Sequence, residues 1–133
     1  LTDEWQDRGV QKGIEFAILT DEITKAWSGM KTREYKKLKG LKKENLRDNM
    51  STTEIVLNML AEVSATEISR AEQPETFEEN RSVAQKGGKV AGDARKSIED
   101  ATGKAVITSK NAAELNRVVA DLIEEIADEK NEN

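Results

Sequence analysis

The stretch GLKKENLRDNMSTTEIVLNMLAEVSATEI, Gly40 to Ile68, joins the most basic part of this chain to its most apolar part and constrains the fold more than any other. In its second half Ile55, Val56, Met59, Leu60 and Val63 recur at steps of one, three and four, filling more than one narrow stripe of a helical repeat. A helix that apolar is expected near the middle of a bundle, with the other helices as its cover. Ser51 and Glu54 stand three apart just before it, the spacing at which an N-cap hydroxyl and a carboxylate reciprocally satisfy free backbone donors. Pro74, the only proline, discourages helix at the residue before it, so the helix is predicted over about Thr52 to Ala71.

Elsewhere the apolar residues keep the same period. Phe16, Ile18, Leu19, Ile23, Ala26, Trp27 and Met30 predict a helix from about Ile14, unbroken or restarted at Thr20 or Asp21, with Gly29 near its end. Thr32 can cap a short helix that turns Tyr35 and Leu38 inward and stops at Gly40, and Leu41 to Met50 reads as another short helical piece. Thr76 and Glu79 repeat the capping spacing. After them Phe77, Ala84, Ala91 and Ile98 follow at sevens, interleaved with Asn80, Gly87, Ala94 and Ala101. Gly87, Gly88 and Gly92 each cost roughly 1 kcal/mol against Ala in a helix interior, which a closely packed neighbouring backbone must offset. The heptad phase is the same on both sides of Gly87-Gly88 and favours one continuous helix over a break there. Ala101 to Ser109 reads as a loop that lies across the bundle, and Leu115, Val119, Leu122 and Ile126 mark a last helix opened by Ser109 or Asn111.

The 133 residues suffice for one core. The expectation is an all-α fold, a compact bundle of about five or six helices over residues 13–128, with 1–12 a linker or frayed lead-in and 129–133 a disordered tail.

Chemistry is narrowed by what is missing. The chain has no His and no Cys, so thiolate metal sites and disulfides are excluded, and catalysis would rest on carboxylates, Lys, Tyr35 or hydroxyls. The pairs Glu78-Glu79 and Glu124-Glu125 are adjacent in sequence and diverge by about 100° on a helix, so they do not converge on one proton or metal. The glycines around Lys89 lack the spacing of a phosphate loop. A non-enzymatic chain without cofactor is expected. No apolar run approaches the length that crosses a bilayer, so no membrane partner is expected and a cytoplasmic location fits.

Net charge is -5, yet Lys25 to Arg47 holds nine positive residues against two negative ones, while the C-terminal stretch with Asp121, Glu124, Glu125 and Asp128 is acidic. Projecting from two short helices joined at Gly40, Lys36, Lys37, Lys39, Lys42, Lys43 and Arg47 could track a nucleic-acid phosphate backbone. No Asn, Gln or Arg array is aimed at base edges, so backbone contact is expected rather than sequence reading. The plain alternative is a solvated lysine face neutralised by the acidic last helix. The small-residue seam of Phe77, Ala84, Gly88, Ala91, Ala94 and Ile98 offers a different function, self-association of the chain as a homodimer.

Leu41, Lys42, Lys43, Asp48, Met50, Ser51, Thr53 and Glu54, followed by Val90 and Arg95, give the chain from about Gly13 to Ala113 a pattern that resembles the C-terminal half of DNA-damage-inducible protein D and related BRO-type phage antirepressors. That resemblance implies a bacterial regulator of the DNA-damage (SOS) response or of phage transcription. It implies a BRO-like DNA-binding domain upstream, and a partner that is a DNA-bound protein such as a repressor or the recombinase filament. It carries over no catalytic residue. The alternative within it is a purely structural domain that pairs two N-terminal DNA-binding domains.

Overall fold

The computed structural model describes residues 1–110 and 122–128. Within the described residues the chain is helical, with no strand. Its long rod is α5 (Phe77–Thr102), which packs along α4 (Thr52–Glu72) on one side and α2 (Ile14–Ser28) on the other. Glycine makes both contacts close. A Cβ on Gly87 would come within 2.6 Å of Ala65 on α4, and one on Gly88 within 2.7 Å of the Ile23 carbonyl on α2. Gly92 repeats this one turn on, 2.8 Å from the Ala26 carbonyl. The helix runs unbroken through the glycines, and the backbones they admit supply the packing that offsets their low helix propensity.

This arrangement overturns two expectations. The seam of Ala84, Gly88 and Ala91 is buried inside one chain, with Phe77, Ala94 and Ile98 packed against the same core, so it is not a free self-association surface. And α4 is a flank of the bundle rather than its centre: it buries Glu54, Leu57, Ala61, Ala65 and Ser69, while Val56, Met59 and Val63 are about half exposed. Ile55 and Leu60 are only partly buried. The physical reason lies opposite. A helix brought to backbone distance by glycine tolerates only small residues at the crossing, so α4 turns its alanines inward and leaves its larger side chains outside.

The N-terminal residues belong to the body and are not a lead-in. α1 (Thr2–Asp7) buries Trp5, whose ring lies 5.3 Å from that of Phe16, and Val10 follows it into the core. Its Glu4 accepts from the Ser69 hydroxyl at 2.8 Å and from Arg8 at 3.0 Å. Burial alone would raise the Glu4 carboxyl, but these donors outweigh it and hold it below its ordinary range.

The middle of the chain sets up the surface. Gly29, in the left-handed region at φ 84°, ends α2, and α3 (Thr32–Leu38) follows at once. Asp21 of α2 accepts from the Thr32 amide at 3.2 Å, so α3 is pinned at its start by α2 rather than by its own N-cap. Between α3 and α4 only a 3-10 turn, Arg47–Asn49, is helical, where a longer piece was expected. At the start of α4 the Ser51 hydroxyl accepts from the Glu54 amide at 3.2 Å, and Thr76 does the same for Glu79 at 3.1 Å. After α5 the chain forms the expected loop, with Val106 and Ile107 partly buried on the core and the Val106 amide donating to Glu99 at 3.0 Å. Of the last predicted helix, Leu115 and Val119 lie outside the described residues, and 122–128 is helical with Leu122, Ile123 and Ile126 exposed.

Candidate functional site

α3 has two unlike faces, and a spacing of four residues creates the first. Tyr35 and Lys39 point into the molecule, against Glu54 on the first turn of α4. The Tyr35 hydroxyl donates to Glu54 Oε2, and Lys39 Nζ lies 2.7 Å from Glu54 Oε1, both members of the ion pair being fully enclosed. The same ammonium donates to the Lys110 carbonyl at 2.6 Å, tying the segment after α5 to the back of α3. Burial, then the bond to Glu54, pushes the Tyr35 hydroxyl far above its ordinary value, so it stays protonated as a donor. Lys39, expected on the phosphate-facing surface, is therefore a buried structural cation. Leu38, expected inward, is 40% exposed.

The second face looks outward. Arg33, Lys36 and Lys37 of α3, with Lys42 from the loop beyond Gly40, line an open groove whose opposite wall is Ala17, Thr20 and Asp21 of α2. Its volume is about 830 Å³, and four cations against one carboxylate give it a net charge of plus three. The floor includes Thr32, whose hydroxyl is buried without a hydrogen-bond partner among the described residues. A smaller hollow of about 290 Å³ shares Thr20, Thr32 and Lys36 and continues to Asn45, Arg47 and Asn58. The groove therefore runs past Lys36 from Lys42 to Arg47.

None of these cations forms an ion pair with a described residue. The Glu44 carboxylate folds back to accept from the Lys42 amide at 2.6 Å and forms no ion pair with a described residue. That bond, with others from the neighbouring backbone and a smaller attraction from the Lys42 charge, lowers its pKa. Lys43 is exposed next to the groove without lining it. So the geometry brings together Lys36, Lys37, Lys42 and Arg47, leaves Lys43 beside them and removes Lys39. Sequence reasoning missed Arg33, Asp21 and Thr20. Arg33 was legible from its place three and four residues before Lys36 and Lys37, whereas the α2 wall is a tertiary juxtaposition without a local signal.

Chemically the groove presents an excess of positive charge to solvent. With its continuation it holds no histidine or cysteine and two carboxylates, Asp21 and Glu62, and among the described residues no cluster of three or more acidic or metal-ligating side chains could hold an ion. No described helix is long and apolar enough to cross a membrane. Arg95, matched in the resemblance with Val90, caps α2 by donating to the Trp27 carbonyl at 2.8 Å, which is a structural task, and Val90 is 44% exposed. Comparison of the chain with protein-family models, with curated proteins and with solved structures gives no match in any of the three.

Proposed function

We propose that this chain is a non-catalytic regulatory module that grips nucleic-acid backbone in the α2–α3 groove, in the cytoplasm and beside a DNA-bound protein partner. The observation that carries the reading is the row of cations that form no ion pair with a described residue along a continuous groove. Lysine ammonium groups act on phosphates as mobile point charges, and Arg33 and Arg47 add two forks at either end. The resemblance to BRO-type regulators supplies the setting, a bacterial DNA-damage or phage response in which such a module would act on a repressor or recombinase filament. With the seam of α5 enclosed in the core, the purely structural reading loses the surface on which it stood.

Six full contacts from Arg33, Lys36, Lys37, Lys42, Lys43 and Arg47 would give a salt slope of about -5 on the relation for duplex DNA. Retention of duplex and single-stranded DNA across a salt series tests this. Replacing Lys36, Lys37, Lys42 and Lys43 together by Glu should abolish retention; unchanged retention would end the proposal.

A further inference from the structure

We infer that the helical segment 122–128 of one copy docks in the α2–α3 groove of a second copy. Two surfaces that the described residues leave uncovered fit each other. The segment exposes Leu122, Ile123 and Ile126 on one side and Glu124, Glu125 and Asp128 on the other. At the groove, Ile14, Ala17 and Ile18 share a face of α2 with Asp21, and Ile14 and Ile18 are 78% and 37% exposed. That apolar stripe borders one wall, and the cations of α3 form the other. An amphipathic acidic helix meets both requirements at once, apolar side to α2 and carboxylates to Arg33, Lys36, Lys37 and Lys42.

Each copy carries one such groove and one such segment, so two copies can satisfy both surfaces at once. Exchange of the two segments is self-complementary and closes a two-fold dimer. The carboxylates would then occupy the place proposed above for phosphates, so dimer and nucleic acid compete. The dimer itself does not rest on nucleic-acid binding.

Sedimentation of the full chain from about 1 μM to 1 mM reads this directly. The wild type should pass from monomer to dimer. Leu122→Ser, Ile123→Ser and Ile126→Ser together should weaken the dimer at least about tenfold, and so should Lys36→Glu, Lys37→Glu and Lys42→Glu together. Adding Glu124→Lys, Glu125→Lys and Asp128→Lys to the reversed groove should restore it. Circular dichroism checks that each variant folds, and the serine variants alter no side chain of the α2–α4–α5 core. A wild type that stays monomeric, as docking on its own groove would give, overturns the inference, as does a dimer indifferent to the substitutions. Because the serine variants keep every groove cation, their DNA retention reports on the nucleic-acid proposal separately.

Discussion

Lys36 lies on α3 and Lys39 one turn on at its C-cap, and the two faces they occupy have opposite physics. On the inner face a lysine, a glutamate and a tyrosine are enclosed together, where each charge depends on the others because water is excluded. On the outer face the same residue type is half-buried at Lys36 and exposed at Lys37 without an ion pair to a described residue, where its charge adds little to stability. Charge is therefore enclosed or solvent-facing here according to which way α3 turns it, and a positive run in a sequence is not one surface.

Substitutions can break or sharpen this contrast. The largest effect should come from Lys39→Met, which leaves the Glu54 carboxylate enclosed without its ion partner: about 3–5 kcal/mol lost in chemical denaturation, with DNA retention unchanged where the variant is folded. An effect near that of a surface lysine would mean that the inner face is open to water. Next is Gly88→Ala. The gain in helix propensity, about 1 kcal/mol, should be outweighed by the overlap with Ala26 and the Ile23 carbonyl, for a net loss of about 1–3 kcal/mol in urea unfolding.

Glu4→Gln should cost about 1–2 kcal/mol at neutral pH. Because the folded Glu4 pKa is depressed, its contribution is complete above the unfolded value near 4.5 and fades as pH falls through the lower folded value. The gap between wild type and variant in unfolding free energy should thus narrow below pH 4.5; a gap constant with pH would place Glu4 outside the charge balance. Smallest is Lys37→Ala, within about 0.5 kcal/mol in stability, yet expected to flatten the salt slope of DNA retention by about 0.9.

The ends of the helices were legible because capping is local. Ser51 and Thr76 lie three residues before the amides they accept, and Gly29 sits at the positive φ that ends α2. The capping pattern also held a clue that spacing alone does not reveal. Glu54 has the place of a reciprocating carboxylate, but it is drawn to Tyr35 and Lys39, nineteen and fifteen residues back. Burial of Lys39 was invisible for that reason: its partner lies on another helix, and nothing within the lysine run distinguishes it.

The face of α4 was misread for a related cause. Side-chain size favours the stripe of Val56, Met59 and Val63, whereas the glycines of α5 select Ala61 and Ala65 by distance, a criterion that exists only once two helices meet. Half the groove had the same standing. Its cations were in the sequence, while Thr20 and Asp21 joined them only because Asp21 holds the start of α3.

Where α5 crosses its neighbours at Gly87, Gly88 and Gly92, main chain rests on main chain with no cushion of rotatable groups between. Such a joint has no soft coordinate through which thermal motion can be absorbed, so opening it requires parting whole helices. Amide protons from Val83 to Gly92 should accordingly be the last to exchange with deuterated solvent, and the α2 wall of the groove inherits that stiffness as a fixed anvil for whatever presses against it.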